Sequence, residues 1–298
     1  MMYHDPVMLN ECIDYLNITD SGTYVDVTFG GGGHSKAILE KLGIKGKLVG
    51  MDQDDDAVKN ALIDSRFLMI QANFSDISSY LRLNGIRKVD GILADLGVSS
   101  FQLDEASRGF SYRFEAPLDM RMNQNGQLDA AKIINFYSDD KLLNIFSTYG
   151  EVRNSKTLVN QIVKERRIAK VHTIQDFLRM IDAVIIGEKF KYLSQVFQAL
   201  RIEVNDEMNV LKSFLLSTKD ILNENGRLVI MSYHSLEDRL VKNFMKAGNF
   251  EGELESDFYG KISKPFQLIT KKAIQATPEE VKRNPRSRSA KLRVCQKI

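Results

Sequence analysis

Four consecutive glycines, Gly30 to Gly33, stand in the stretch Asp26-Val27-Thr28-Phe29-Gly30-Gly31-Gly32-Gly33-His34, between a β-branched run and an amphipathic one. Bare backbone in that position lets a ligand approach closely, and the following helix presents its unpaired first-turn N–H groups. A nucleotide-type pocket is the chemistry this implies. A second predicted strand ends at Asp52, 22 residues after Gly30, which puts a carboxylate where it can accept ribose hydroxyls. Phe74 follows the third strand and offers a ring to an adenine, although a core phenylalanine is equally compatible with its surroundings. Asp95 ends the fourth strand, at the carboxyl edge where open α/β sheets hold their ligands. After the fifth strand comes Ser232-Tyr233-His234-Ser235-Leu236-Glu237-Asp238-Arg239. Here Ser235 and Asp238 read as a helix capping box, with His234 orienting the turn.

The spacing of the glycine loop separates the possible cofactors. A Gly-x-Gly-x-x-Gly phosphate turn would need glycine where Ser35 stands, which argues against a nicotinamide dinucleotide. Asp-x-Gly-x-Gly-x-Gly fits better, with Asp26, Gly30 and Gly32 in register and Thr28 in place of the first glycine; it is the pattern of S-adenosylmethionine-dependent methyltransferases. A flexible turn is the alternative for a glycine cluster, but four glycines in a row carry an entropy penalty that calls for a steric reason. A nicotinamide oxidoreductase and a non-catalytic RNA-binding protein stay open as other classes. The first would share Asp52, and the second would have no use for the loop with Asp52 and Asp95.

These residues need a sheet to align them. Short β-branched runs at 23–28, 47–51, 67–71 and 89–94 alternate with amphipathic stretches, the pattern of βαβ units and a mostly parallel sheet. From 103 to 195 the strand signal vanishes, and segments such as 155–166 and 174–181 read as helices. The spacing then predicts one long helix over 196–223, a strand at 227–231 after Asn225-Gly226, and a last strand at 290–295. The expected organisation is a discontinuous α/β domain, 1–102 and 196–298, interrupted by a helical insertion, 103–195.

Composition fits a folded chain of 298 residues, 43% hydrophobic and 27% charged. Cys12 and Cys295 show no metal-ligand spacing and no disulfide framework, so neither a metal nor a disulfide is expected, and a reducing cytoplasm suits the chain. The N-terminus, Met1 to Pro6, has no basic or apolar leader, and no run approaches the ~18 apolar residues of a membrane span. Net charge is +2, unevenly spread: residues 261–298 hold eleven Lys or Arg, from Lys261 to Lys297, against Glu279 and Glu280. A basic tail on an acidic body points to a polyanion contact near the C-terminus, or to a solvated tail.

Several blocks in one order resemble a single family over nearly the whole chain, the bacterial small-subunit ribosomal RNA (cytosine-N4)-methyltransferases, also called RsmH or MraW. They are His4-x-Pro6-Val7, Asp26-x-Thr28-x-Gly30-x-Gly32-Gly33-His34-Ser35, Asp95-Leu-Gly-Val-Ser-Ser100, Arg108-Gly-Phe110, Leu118-Asp-Met-Arg-Met122, Tyr149-Gly-Glu151, Phe197 to Asn205, His234 to Arg239 and Asn284 to Arg293. The resemblance implies a class I (Rossmann-like) methyltransferase with a mostly parallel seven-stranded sheet and an inserted helical substrate-recognition domain. It also implies S-adenosyl-L-methionine as cofactor, with Gly32, Gly33, His34, Asp52, Phe74, Asp95 and Gln102 as contacts. The implied substrate is 16S rRNA within the small ribosomal subunit, methylated at N4 of a decoding-region cytosine, number 1402 in conventional numbering. Monomer and homodimer both stay open. One departure stands out: many members read His-Pro-Ala-Thr-Arg just before Phe197, and this chain has Lys191-Tyr192-Leu193-Ser194-Gln195.

A cytosine amine is a weak nucleophile because its lone pair is delocalised into the ring, so in-line positioning can supply much of the rate. Asp95 is the first candidate to hydrogen-bond that amine, ahead of Asp119 and His234. A base drawn from its stack would need an aromatic support, and Phe110 or Tyr233 would serve if it is not simply core. Arg286, Arg288, Lys291 and Arg293 are expected to neutralise phosphates, although the alternation at 290–295 also allows a plain edge strand.

Overall fold

The computed structural model describes residues 6–254 and 264–298; His4 and Lys261 lie outside them. The chain divides into two compact units, Met1–Gly97 with Met208–Ile298, and Val98–Glu207.

The first unit is an α/β sheet. Its strands are β1 Thr23–Asp26, β2 Lys47–Asp52, β3 Phe67–Gln71, β4 Val89–Asp95, β5 Leu222–Ser232, β6 Phe266–Leu268, β7 Ile274–Gln275 and β8 Lys291–Lys297. They lie in the order β3-β2-β1-β4-β5-β8-β6, with β7 also paired to β8. The first five are parallel and the pairings of β8 are antiparallel. Seven strands thus form the continuous path, and the two-residue β7 flanks it. Successive residues alternate between the sheet's two faces: Val25, Val49 and Ile92 enter one buried cluster, Tyr24, Leu48 and Leu93 the other. Because β8 is held by β5 on one side and by β6 and β7 on the other, the plain edge strand expected at 290–295 is an interior strand instead.

The second unit is helical, with an isolated bridge, Pro117–Thr173, as its β pairing among the described residues. Phe146, Leu158, Ile162, Ile174, Phe177 and Leu200 are fully buried in its core. The helix Lys189–Val204 runs through the seam expected at 195/196, and Tyr192, Leu193, Val196, Phe197 and Leu200 on its buried face belong to that core. The single helix expected over 196–223 is two, Lys189–Val204 and Glu207–Ile221, broken where Asp206 takes φ 49°. A left-handed residue cannot continue a right-handed helix.

Among the described residues no helix is long and apolar enough to cross a membrane. Cys12 and Cys295 are both free and buried, and burial pushes both thiols up in pKa.

Candidate functional site

The glycine loop spans from the end of β1 to the helix Gly33–Lys41, and a buried carboxylate holds its shape. Asp26, 1% exposed, accepts Ser35 Oγ at 2.7 Å and the Thr28 amide at 3.2 Å. Burial raises the Asp26 pKa, opposed by His34, Ser35 and Thr28. Thr28 in turn accepts the Asp95 amide on its Oγ1 at 2.7 Å, which pins the end of β1 to the end of β4. So Thr28 and Ser35, which break the glycine pattern, are hydroxyls that satisfy Asp26 and brace the loop.

The glycines are required for different reasons. Gly32 has φ 76°, and a Cβ there would come 2.8 Å from the Phe29 ring; a Cβ on Gly33 would come 2.4 Å from Pro6 Cγ. The N-terminal segment therefore lies directly against the helix start, where His34 Nε2 also meets the Val7 carbonyl at 3.1 Å. This contact accounts for the Pro6-Val7 block. At Gly30, φ 51°, a Cβ would meet nothing closer than the Thr28 carbonyl at 3.8 Å, so this side of the loop is open.

Asp52, at the end of β2, accepts the Gly30 amide on Oδ2 at 2.9 Å and the Asp54 amide on Oδ1 at 3.0 Å. Burial pushes its pKa up to about 6 against those two bonds. Asp95 ends β4 partly exposed, and its Oδ1 accepts the Tyr233 hydroxyl at 2.7 Å. Its pKa is also pushed up to about 6, chiefly by burial and further by Asp26 and Glu237, while His34 and the Tyr233 bond pull it down. Tyr233 is held well above its ordinary pKa by burial and by Asp95, so it stays a donor. Phe74 opens the short turn after β3, half-buried, its ring edge-on to Phe214 at 5.3 Å between centroids.

β3, β2, β1 and β4 are consecutive neighbours. With strands about 4.8 Å apart, Phe74, Asp52, the glycine loop and Asp95 line one carboxyl edge over roughly 14 Å. An aromatic face, a carboxylate beside open backbone, unpaired helix amides and a second carboxylate, in that order, suit an elongated ligand with a nucleoside at one end and a charged group at the other.

The remaining candidates have other engagements. His234 is the N-cap of the helix Ser235–Ala247: its Nδ1 accepts the Glu237 amide at 3.4 Å, and Glu237 Oε2 accepts the His234 and Tyr233 amides. The capping box is thus His234/Glu237 and not Ser235/Asp238, because the first helical residue is Ser235 itself. Asp238 instead accepts Arg293 Nε at 2.7 Å and Nη2 at 3.3 Å, and Lys291 Nζ at 3.3 Å. Two of the four cations expected to meet phosphates are therefore tied to an internal acid, and Arg293 is 13% exposed. Arg286 and Arg288 lie in the 3-10 turn Pro285–Ser289, Arg288 exposed.

In the helical unit, Asp119 grips Arg121 through two hydrogen bonds, 2.8 Å to Nε and 2.6 Å to Nη2. Burial raises its pKa, but the Arg121 bonds outweigh that and leave it below the ordinary carboxylate range. Arg108 donates to the Arg121 and Met122 carbonyls, and Asn205 accepts the Met122 amide and donates to the Met120 carbonyl. The blocks at 108–122 and 197–205 therefore knit one loop together. Phe110 is 7% exposed within that core, not a free stacking face. Gln102 closes a capping box with Ser99 at the head of the helix Ser100–Asp104.

Sequence reasoning missed the Tyr233–Asp95 bond, which joins residues 138 apart. It also missed the role of Thr28, for which the one available signal was a hydroxyl two residues from an aspartate.

The model of the MraW methylase family matches residues 1–298. Ribosomal RNA small subunit methyltransferase H of Phocaeicola vulgatus is 52% identical over 297 residues, 99% of this chain and 98% of the relative. The proteins of that name from Parabacteroides distasonis and Flavobacterium psychrophilum are each 53% identical, over 298 and 291 residues, covering 99% and 97% of this chain and 98% and 100% of theirs.

Proposed function

The chain belongs to the MraW methylase family, and on that premise we propose that it methylates small-subunit ribosomal RNA, with S-adenosyl-L-methionine as methyl donor. The proposed acceptor is the exocyclic N4 of a decoding-region cytosine, number 1402 in conventional numbering. The observation that carries this reading is the row of groups on one sheet edge, with Asp52 bonded to Gly30 and Asp95 bonded to Thr28 and Tyr233 on either side of the glycine loop.

When bound, S-adenosylmethionine supplies an electrophilic methyl group on a sulfonium. Asp52 accepts the ribose hydroxyls on the lone pairs its two amide donors leave over. Phe74 flanks the adenine with the ring face not turned to Phe214. The amides of Gly33 and His34, at a helix N-terminus, take the carboxylate of the methionine part, while Gly32, whose amide donates to the Phe29 carbonyl at 2.8 Å, offers bare backbone. Gln102, in the helical unit, is engaged with Ser99 through both its amide and its side chain. Asp95 accepts a hydrogen bond from the cytosine amine, which localises the lone pair on N4 and aims it at the methyl group. Tyr233 fixes the rotamer of Asp95 by donating to Oδ1. Ionised above about pH 6, Asp95 also draws off the proton that the amine loses.

We assign substrate recognition to the helical unit. Supporting this, Phe190 is 66% exposed and stacks on Tyr112 at 6.4 Å between centroids, and Tyr112 meets the buried Phe197 edge-on at 5.4 Å. Ser194 Oγ lies 3.2 Å from the Tyr112 hydroxyl, so the segment that departs from the family pattern helps to set this rigid aromatic face. Unpaired RNA bases stack on such faces. The proposed setting is the cytoplasm, where small subunits are found.

The test is transfer of labelled methyl from S-adenosylmethionine to small subunits from cells lacking the gene, with the modified nucleotide mapped. Label at N4 of the one cytosine is expected. Tight cofactor binding with no transfer, or label on another atom, overturns the substrate assignment.

A further inference from the structure

A second feature of the sheet unit lies away from the glycine loop. Between the helix Ser235–Ala247 and strands β6 and β8 runs a groove of about 160 Å³, lined by Met245 and Leu268 and by Lys242, Lys246, Lys271 and Arg293. Among the described residues no acid lines it. The helix period explains the arrangement: positions 238, 242, 245 and 246 share one face, and the burial of Met245 and the Asp238–Arg293 pair show that this face meets β8. Lys242 and Lys246, four apart, are a like-charge pair that mildly destabilises the helix, and Lys271 adds a third charge from the segment between β6 and β7. Lys242 and Lys271 are exposed and form no ion pair among the described residues. Lys246 donates to the Gly252 carbonyl at 3.0 Å.

The groove's strand β8 lies two strands from β4. Lys291 stands opposite Ser232, the last residue of β5, and Arg293 opposite Ile230, while Asp95 of β4 pairs with Met231. The helix cations Lys242 and Lys246 stand one turn apart, roughly 6 Å at 1.5 Å per residue, with Lys271 and Arg293 flanking them. That reach spans about two phosphates of a nucleic-acid strand, about 3.4 Å apart along a helix axis.

We infer that this groove is a track for the phosphodiester backbone of the RNA substrate, with Lys242, Lys246 and Lys271 making the phosphate contacts. Lys291 and Arg293, tied to Asp238, set the upper wall and do not themselves carry the contact. The inference rests on the RNA substrate proposed above and gives Lys242, Lys246 and Lys271 the phosphate-binding role expected of Lys291 and Arg293, which are tied to Asp238.

The test compares the full-length protein with K242E/K246E/K271E and with K41E/K45E/K47E, which makes the same change of charge on exposed lysines elsewhere in the unit. Affinity for S-adenosylmethionine, kcat, and KM for small subunits are measured from 50 to 200 mM salt, together with direct binding of a fragment of the substrate RNA. For the groove variant, KM is expected to rise tenfold or more at low salt. The slope of log affinity against log salt should become shallower by roughly two to three, with kcat and cofactor affinity within twofold of the parent. The charge-keeping K242R/K246R/K271R should match the parent. Equal losses in the groove and control variants, or no loss in the groove variant, overturn the inference. A parent that transfers no methyl to subunits refutes the substrate proposal by itself; fragment binding then still decides the groove.

Discussion

Asp95 at the carboxyl edge of the sheet and Asp119 in the helical unit both qualify as catalytic candidates by residue type, and their surroundings are opposite. Asp95 faces burial, Asp26 and Glu237, is bonded by a neutral phenol, and has its pKa raised to about 6. Asp119 is clasped by a guanidinium, accepts a backbone amide, and has its pKa lowered. Asp52 resembles the first; Asp238, held by Arg293 and Lys291, resembles the second. A carboxylate already matched with an arginine has spent its charge on the fold, and an unmatched one near a cleft is left to act on a ligand. At the sheet edge Asp52 and Asp95 therefore lack the arginine partner that Asp119 has in the helical unit.

Substitution of Asp95 should break that contrast most sharply. Asp95→Asn keeps an acceptor for Tyr233 and removes the charge, so kcat should fall by about 10²–10³-fold while S-adenosylmethionine affinity stays within a few-fold. Stability should move the other way. A folded carboxyl with a pKa near 6 binds its proton more tightly than in the unfolded chain, so its contribution is greatest below the ordinary carboxylate pKa and is lost as pH rises through 6. Above pH 7 the ionised group costs up to about 3 kcal/mol. Asp95→Asn should therefore melt above the parent at pH 7.5 and with it near pH 4. A variant that is inactive and also less stable at pH 7.5 would contradict the comparison. The parent's kcat is expected to rise through about pH 6 and level off, and this limb should vanish in Asp95→Asn.

Asp52→Ala should act on binding alone. Losing charge-assisted bonds of roughly 1.5–3 kcal/mol raises the dissociation constant for S-adenosylmethionine about 10- to 100-fold in titration calorimetry, with kcat at saturation little changed. Unchanged affinity would refute the ribose role.

The contrast was only partly legible in the sequence. Strands β1 to β4 announce themselves through β-branched runs, and the glycine loop through composition, because both signals are local. β6 and β7, three and two residues long, are too short for any period to register. The break at Asp206 depends on a backbone angle that no periodicity encodes. Asp52 and Asp95 could be placed because strand ends place them. What Asp119, Lys291 and Arg293 do could not, because it is decided by partners: Asp238 lies 55 residues before Arg293, and Asn205 lies 83 after Met122. Charge counts treat a cation locked to an aspartate and a cation facing water alike.

On the other side of the comparison, Asp119→Asn should cost stability and leave chemistry alone. The bidentate pair is one-quarter exposed on each partner, and the substitution weakens its hold on Arg121, which also braces the Gln124 and Gly126 carbonyls. A loss of about 1–2 kcal/mol at pH 7 is expected by denaturant titration. Because the folded pKa is lowered, the deficit should shrink as pH falls through the carboxylate range. A hundredfold fall in kcat for the folded variant would return Asp119 to the list of catalytic groups.

His234 gives the smallest effect and the finest test. It sits two residues beyond the end of β5, at the carboxyl edge of the sheet, yet its ring accepts the Glu237 amide and starts a helix. If that is its whole role, an asparagine, which caps by the same geometry, should restore what an alanine loses. His234→Ala is expected to lower stability by about 1 kcal/mol and His234→Asn by a few tenths, both with kcat within threefold of the parent. The alternative, in which the imidazole handles a proton, predicts the opposite ranking of readouts: both variants would lose kcat alike, since neither replacement can pass a proton, and asparagine would rescue the helix without rescuing the reaction. Measuring melting and turnover on the same pair separates a cap from a catalyst, because the cap acts through the acceptor atom that asparagine keeps, and the catalyst through the proton that it cannot exchange.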